Sequence, residues 1–203
     1  MEYLIKQYAL EQGALEIQYI EEEFGEFPRR KTAAEIVRRL DGRPHIILMA
    51  EAQHPNDPGI IVPVSYKVAH EIQPNETEPK LVDLVGRLSE FIDFEGRRIL
   101  YSWIGGTRSD WRGQGHFRAL TEEQEVWAIA DGFDEVVVKT KNKFYNMRAT
   151  LDNLQFEVVK YERNGRENSE SKVYLSKRLG PHVLDTHRSV RTLVQAEIGR
   201  PQD

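Results

Sequence analysis

Two glycines one residue apart, Gly113 and Gly115, stand in the stretch SDWRGQGHFRALTEEQE (residues 109–125), after an arginine and before a helical pattern. Glycines in such a position let successive backbone N–H groups turn toward one ligand, and the N-terminus of the helix adds a partial positive charge. The stretch therefore predicts an anion site. A tight turn that holds no ligand is the alternative interpretation.

Two common phosphate-binding motifs do not fit this loop. A P-loop requires Lys followed by Ser or Thr after its last glycine, and His116 and Phe117 stand there instead. A dinucleotide fingerprint requires a third glycine, and Arg118 occupies its position. Both nucleotide-binding classes are therefore excluded.

The composition excludes further chemistry. The chain has 203 residues and no cysteine, so disulfides, cysteine-ligated metals and a cysteine nucleophile are ruled out. The 6 histidines show no metal-ligand spacing, and we expect no metal. A net charge of -5 argues against nucleic-acid binding. The N-terminal stretch lacks a signal-peptide pattern and no apolar run is long enough to span a membrane, so we expect a cytoplasmic protein with no membrane partner.

Hydrophobic patterns predict the elements that position the loop. Residues 9–24 read as a first helix. Thr32, with Glu35 three residues later, predicts a capping box at the start of a second helix. Residues 45–52 and 60–72 flank a turn and predict a β-hairpin, in which Pro63 marks an edge or a bulge. A short helix over 80–92 follows these elements.

The loop lies inside a predicted βαβ unit. Residues 98–107 are apolar on both faces, which is typical of a central strand. A helix over 114–131 and a strand over 134–140 follow, so the two strands should run parallel. On the helix, Glu122 and Glu125 lie opposite the predicted apolar face. The remaining predicted elements are a helix over 143–154, a closing hairpin over 156–163 and 172–179, and a C-terminal helix over 181–199.

The loop and its surroundings resemble the Gcn5-related N-acetyltransferase (GNAT) superfamily, whose signature is Arg/Gln-x-x-Gly-x-Gly/Ala at this strand–helix junction. Arg112 and Gly115 match the first two fixed positions, and Phe117 departs at the last. The order of elements over residues 10–179 is also the family's order. The stretches HIILMAEA, LYSWIGGT and KTKNKFYNMRATLDNLQF resemble a bacterial subgroup, from whose usual Gly-Phe this chain departs at Gln155.

The resemblance implies an α/β fold with a mixed, mostly antiparallel sheet, a splayed parallel strand pair and helices on both faces. It implies one domain over residues 1–180, followed by a C-terminal helical extension over 181–203. It also implies an acetyl-CoA-dependent N-acetyltransferase that transfers acetyl directly to an amine, with a small molecule or a peptide as acceptor. A GNAT-fold module that binds acyl-CoA without turnover is the alternative function, and the C-terminal helix could form a homodimer.

By the same resemblance, the loop amides bind the pyrophosphate, Thr107 bonds the pantetheine arm, and an N–H near Ile104 to Gly106 stabilises the oxyanion. We expect a bulge at Gly105 and Gly106, with close packing of helix on sheet as the alternative. The expected acetyl-CoA contacts are Ile104, Gly105, Gly106, Thr107, Arg112, Gly113, Gln114, Gly115, His116, Phe117, Arg118, Asn142 and Lys143.

Proton transfer is the least determined step. An amine with a pKa near 10 must lose a proton before it attacks, and the departing thiolate gains one. The position where many family members carry a tyrosine acid is Leu151 here. The candidate catalytic residues are Glu26 and Tyr101 as bases and Tyr145 as a substitute acid. A solvated carboxylate, a core aromatic and a surface tyrosine are the respective alternatives, and His116 is expected to contact coenzyme A or solvent.

Overall fold

The computed structural model describes residues 3–22 and 30–187, which build one seven-stranded sheet with helices on both faces. The strands are β1 (Tyr3–Gln7), β2 (His45–His54), β3 (Asp57–Ile72), β4 (Ile99–Thr107), β5 (Glu135–Lys141), β6 (Glu157–Glu162) and β7 (Lys172–Arg178). The helices are α1 (Leu10–Glu22), α2 (Ala33–Leu40), α3 (Pro79–Leu88), α4 (His116–Ala130), α5 (Tyr145–Asn153) and the short α6 (Pro181–Asp185). None of the helices in these two ranges is long and apolar enough to cross a membrane.

The strand order is β1-β2-β3-β4-β5-β7-β6, and β4–β5 is the parallel pair within an otherwise antiparallel sheet. This confirms the predicted mixed sheet and the βαβ unit. The hairpin β2–β3 is also confirmed, with a register shift that leaves Val64 as an extra residue next to Pro63. Strand β1 was not predicted, because five residues carry too little pattern to separate a strand from an irregular end.

Two layers of helices cover the sheet. On one face, α4 and α5 place Leu120 and Leu151 against Leu100 and Val136 of the central strands. The opposite face is covered by α1 and α2 and, further along, by α3, which packs over Tyr101 and its neighbours. The connection from β3 to β4 therefore carries a helix that roofs the parallel strand pair.

Local sequence signals explain how two helices begin and end. Thr32 Oγ1 accepts the Glu35 N–H at 3.2 Å, and Glu35 Oε2 accepts the Thr32 N–H at 3.1 Å, which confirms the predicted capping box. Helix α5 ends at Asn153, and two residues later Gln155 has a φ of 64°, in the left-handed region. This is where the resembling subgroup carries glycine, so the departure leaves a strained backbone conformation in place.

Helix α4 differs from its predicted pattern. Glu122 and Glu125 were placed opposite the apolar face, yet they are 6% and 0% exposed. Glu122 accepts a hydrogen bond from Arg118 Nε at 2.8 Å, and Glu125 pairs with Lys177 of β7. The predicted exposure of the two glutamates was wrong, because the pattern of apolar residues along a helix gives no information about carboxylates that are buried in pairs with cations.

The C-terminal extension is described only at its start. Helix α6 ends at Asp185, and His187 Nε2 lies 2.7 Å from Glu125 Oε2, which anchors the chain on α4. The rest of the predicted helix over 181–199 lies outside the described residues.

Candidate functional site

Strands β4 and β5 separate part-way along their length. Parallel pairing runs from Ile99 opposite Glu135 to Ser102 opposite Val138 and stops there. Beyond this point β5 continues its pairing with β7, while β4 continues to Thr107 beside β3. Residues 103–107 therefore have no β5 partner on that side, and their backbone groups are available to a ligand. This is the predicted splay.

A β-bulge lies at the start of the separation, but not where it was expected. Ser102 pairs with Ala69 and Ile104 pairs with Val68, so Trp103 is the extra residue. The bulge predicted at Gly105 and Gly106 is wrong, since both pair regularly with β3. A Cβ on Gly105 would lie 3.1 Å from the Tyr66 carbonyl oxygen, so this glycine permits a close approach of two strands. Sequence alone cannot separate the two uses of glycine.

The glycine loop connects the separated end of β4 to α4. Gly113 and Gly115 have φ values of 78° and 84°, and a Cβ on either would meet nothing within 4 Å. The backbone turn therefore requires glycine, although the space around it is open. The first N–H to bond back is that of Ala119, to the Gly115 carbonyl at 3.1 Å, so the preceding amides at the helix N-terminus have no helical acceptor.

Side chains at both ends hold this loop in place. Trp111 is 2% exposed and anchors the short 3₁₀ turn Ser109–Trp111. Arg112 Nε donates to the Thr107 carbonyl at 3.2 Å. Thr107 Oγ1 lies 2.7 Å from Ser65 Oγ, so the hydroxyl that was expected to meet pantetheine already has a partner on β3.

His116 points away from the loop surface. Its ring is 2% exposed and lies between Tyr3, at 4.2 Å between centroids, and Trp111, at 6.2 Å. Neither ring nitrogen has a hydrogen-bond partner within the described residues, and burial lowers the pKa of His116. The side chain is therefore part of the core, and only its backbone faces the expected anion site. The expectation that it contacts solvent was wrong.

Phe117 is half-buried against the core under α4. The Lys67 ammonium lies 4.6 Å from its ring centroid, within range of a cation–π contact. A small residue at this position could not cover that cation. The residue that departs from the family signature is therefore in contact with a buried lysine.

A carboxylate that sequence reasoning missed lies over the opposite face. Glu21 at the end of α1 is 4% exposed, and its Oε1 accepts the Tyr66 hydroxyl at 2.6 Å. Its second oxygen accepts the Lys31 backbone N–H. Tyr66 lies directly opposite Gly106, so this carboxylate lies beside the separated part of β4. No pattern along α1 separates Glu21 from the neighbouring Glu22, because its partner Tyr66 lies on another element.

Tyr101 lies one residue before the pairing of β4 and β5 ends. It is 8% exposed, and burial raises its pKa to about 12. His70 lies opposite it on β3, with ring centroids 5.6 Å apart and planes nearly perpendicular. Burial lowers the pKa of His70 to about 4. At neutral pH Tyr101 is therefore a proton donor and His70 is uncharged.

Lys139 follows Val138, the last residue of β5 that pairs with β4, and was not proposed as catalytic from the sequence. Its ammonium lies 5.6 Å from the ring centroid of Tyr174 on β7. Burial, together with the nearby charge of Lys172, lowers its pKa. A half-buried lysine at the opening between two strands can accept a proton more readily than an exposed one.

The other predicted residues lie around the end of β5. Asn142 Nδ2 donates to the Asn168 carbonyl at 3.2 Å, and Lys143 Nζ donates to Glu170 at 2.6 Å. Tyr145 is 62% exposed at the start of α5. The contacts of Asn142 and Lys143 tie this end of the strand to the turn Asn168–Glu170, and their cofactor role stays a prediction. Glu26 lies outside the described residues.

Known proteins resemble this chain in structure but not in sequence. No model of a protein family matches the sequence, and no protein of curated function matches it. Solved structures do match. The similarity therefore lies in the backbone architecture that the preceding paragraphs describe.

Three of these structures cover nearly the same part of the chain. Arabidopsis thaliana NAA60, bound to a bisubstrate analogue, has a TM-score of 0.67 at 12% identity, and the match covers 88% of this chain and 100% of that one. The ribosomal-protein-S18-alanine N-acetyltransferase of Escherichia coli has a TM-score of 0.61 at 11% identity, over 88% and 95%. A Desulfovibrio desulfuricans protein described as a GNAT-family acetyltransferase has a TM-score of 0.60 at 13% identity, and the match covers 88% of this chain and 100% of that one.

The chain has the GNAT fold. In this chain the separated β4–β5 pair lies in the middle of the sheet, and the glycine loop connects β4 to α4. The match confirms the fold class that the sequence predicted.

Proposed function

We propose that the protein is an acetyl-CoA-dependent N-acetyltransferase. One observation carries the proposal: the edge of β4 that lost its β5 partner leads directly into the glycine loop at the N-terminus of α4. An extended arm that ends in a diphosphate needs such a combination, namely free backbone groups followed by a cluster of N–H donors.

Acetyl-CoA supplies an activated acetyl group as a thioester. The amides of residues 112–118 would bind its pyrophosphate, and the separated edge of β4 would pair with pantetheine. The N–H groups around Ile104 to Gly106 would donate to the developing oxyanion. Each of these roles uses backbone geometry, which explains why fold similarity persists at 8–14% sequence identity.

The amine acceptor would approach from the face that carries α1, α2 and α3. Glu21 and Lys139 join Glu26 as candidate groups for accepting its proton, and Tyr145 stays a candidate acid. Tyr101, with its pKa raised to about 12 by burial, would instead donate a proton to the departing thiolate. A small molecule or a peptide stays the proposed acceptor; NAA60 was solved with a bisubstrate analogue.

A second function is favoured by one observation. Leu151, where many family members carry a tyrosine acid, is 0% exposed and packs in the core under α5. A module that binds acyl-CoA without turnover would need no acid there. The cytoplasmic location and a homodimer formed through residues 181–203 also stay predictions.

Calorimetry with acetyl-CoA tests the common requirement of both functions. Gly115→Ala forces a side chain into a φ of 84° at the loop, and we expect acetyl-CoA binding to weaken at least about tenfold. Gly132→Ala is the matched control, because Gly132 has a φ of 80° at the other end of α4. Equal loss in both variants, or no binding at sub-millimolar concentration by the unaltered protein, would contradict the proposal. Thiol release with a panel of amines then separates an enzyme from a binding module.

A further inference from the structure

Lys67 of β3 is a buried lysine that the proposed reaction does not use. It is 3% exposed, and no hydrogen bond or ion pair joins its ammonium to another group in residues 3–22 or 30–187. The carboxylate of Glu125 raises the pKa of Lys67 and so stabilises its charged form. Both oxygens of Glu125, however, accept hydrogen bonds from Lys177, at 2.9 and 2.8 Å, and one also meets His187. Two buried lysines therefore share one carboxylate.

The Lys67 side chain crosses the separated strand. Lys67 pairs with Gly105, and its Cγ lies 3.7 Å from the point where a Cβ of Gly105 would stand. The missing side chain at position 105 leaves room for the lysine, whose ammonium ends 4.6 Å from the ring centroid of Phe117. Phe117 is the second residue of α4, so the cation lies beneath the first turn of the helix that follows the glycine loop.

Burying a cation without a counter-ion of its own destabilises the folded protein, unless an anion binds nearby and neutralises the charge. Burial lowers the pKa of Lys67 to about 8, so the ammonium is still mostly protonated at neutral pH. Glu125 on α4 is the charged group that raises the pKa of Lys67, and the same carboxylate pairs with Lys177 on β7, so two ammonium groups share one carboxylate and leave an excess positive charge. An anion at the N-terminus of α4 would balance that charge.

We propose that Lys67 is a specificity-determining residue, whose buried ammonium favours ligands that place a diphosphate on the glycine loop. The inference rests on the proposed function, because acetyl-CoA is the ligand that would bring the diphosphate. It adds to the backbone amides a cation that acts on the phosphates and not on the acyl or pantetheine parts. The affinity for the diphosphate would depend on the charge of the side chain and not on its length.

The test compares Lys67→Met with the unaltered protein by calorimetry, using coenzyme A, S-acetylpantetheine and inorganic pyrophosphate as separate probes. Methionine fills a similar volume without charge, so we expect the variant to fold with an unchanged or higher Tm. Coenzyme A and pyrophosphate should bind about tenfold more weakly, the effect of losing one charge-assisted interaction, and S-acetylpantetheine should bind equally well. Lys80→Met, at an exposed position on α3, is the control for net charge.

Unchanged coenzyme A affinity in Lys67→Met, or an equal loss for all three probes, would overturn the inference. If the unaltered protein binds pyrophosphate but not coenzyme A, the proposed function fails while Lys67 is still tested by pyrophosphate. Should Lys67→Met not fold, ¹³C-lysine NMR of the unaltered protein replaces it. Saturation with coenzyme A should then raise the pKa of the lysine that titrates near 8 by about one unit, the linkage equivalent of tenfold. An unshifted pKa would refute the role.

Discussion

The buried ion pair between Glu125 of α4 and Lys177 of β7 makes a strong prediction about stability. The Lys177 ammonium donates to both carboxylate oxygens at 2.9 and 2.8 Å, and the two side chains are 0% and 5% exposed. Neither charge is screened by solvent. We would replace each partner alone, as Glu125→Leu and Lys177→Met, and then both together.

Each single replacement leaves the other charge buried without its partner. Such a loss costs about 3–5 kcal/mol of unfolding free energy. The double variant removes both charges, and apolar residues of similar volume would restore most of the stability. The imidazole of His187, 2.7 Å from Glu125, and the buried ammonium of Lys67 would still lose this carboxylate, so we expect the double variant to lose about 1–3 kcal/mol. The double variant should thus be more stable than either single one.

Urea unfolding followed by circular dichroism measures these differences, and each kcal/mol corresponds to a Tm shift of about 2–4 °C in a chain of this size. Asp83→Ala is the control, because its ion pair with Arg87 is exposed, at 47% and 36%, and should contribute at most about 0.5 kcal/mol. Single losses below about 1 kcal/mol, or simple additivity in the double variant, would refute the reasoning.

Three further predictions concern single residues. Gln155→Gly should raise the unfolding free energy by about 0.5–1 kcal/mol, because glycine relieves the φ of 64°; an unchanged urea midpoint would contradict this. His70 has its ordinary pKa near 6.5 in the unfolded chain and a pKa of about 4 in the folded protein. The free energy of unfolding should therefore decrease as the pH is lowered from 6.5 to 4, by up to about 1.4 kcal/mol per pH unit. His70→Leu should not lose stability in this pH range. Urea unfolding across the range measures it, and parallel pH profiles of the unfolding free energy in the two proteins would contradict this prediction. Tyr101→Phe should lower kcat about 100-fold with little change in KM for acetyl-CoA, if its phenol donates the proton; thiol release measures both, and an unchanged kcat would exclude that role.

Part of this fold could be predicted because local chemistry decided it. The capping box of Thr32 and Glu35 was confirmed, since both partners lie within one helical turn. The βαβ unit was confirmed as well, because a doubly apolar strand, a helix and a second strand leave little choice of connection. The glycine loop was placed at the right junction for the same reason.

Other features depended on contacts between distant segments. The bulge lies at Trp103 and not at Gly105, because the register with β3 selects it. His116 is in the core since Tyr3 and Trp111 enclose it. Glu21 approaches the site only because Tyr66, on another element, reaches its carboxylate. None of these partners is a neighbour in sequence.

Hydrophobic period, caps and glycine conformations act over a few residues, so the sequence was enough to predict the order of the elements after β1 and the position of the turn that carries the two glycines. Which charges are buried, and which groups they contact, depends on how distant segments pack together. Lys67, Glu125 and Lys177 are ordinary charged residues in the sequence, and their meeting under α4 follows from the packing of three separate elements. The free energy of a buried charge depends on its neighbours in space, which a pattern along one chain does not contain.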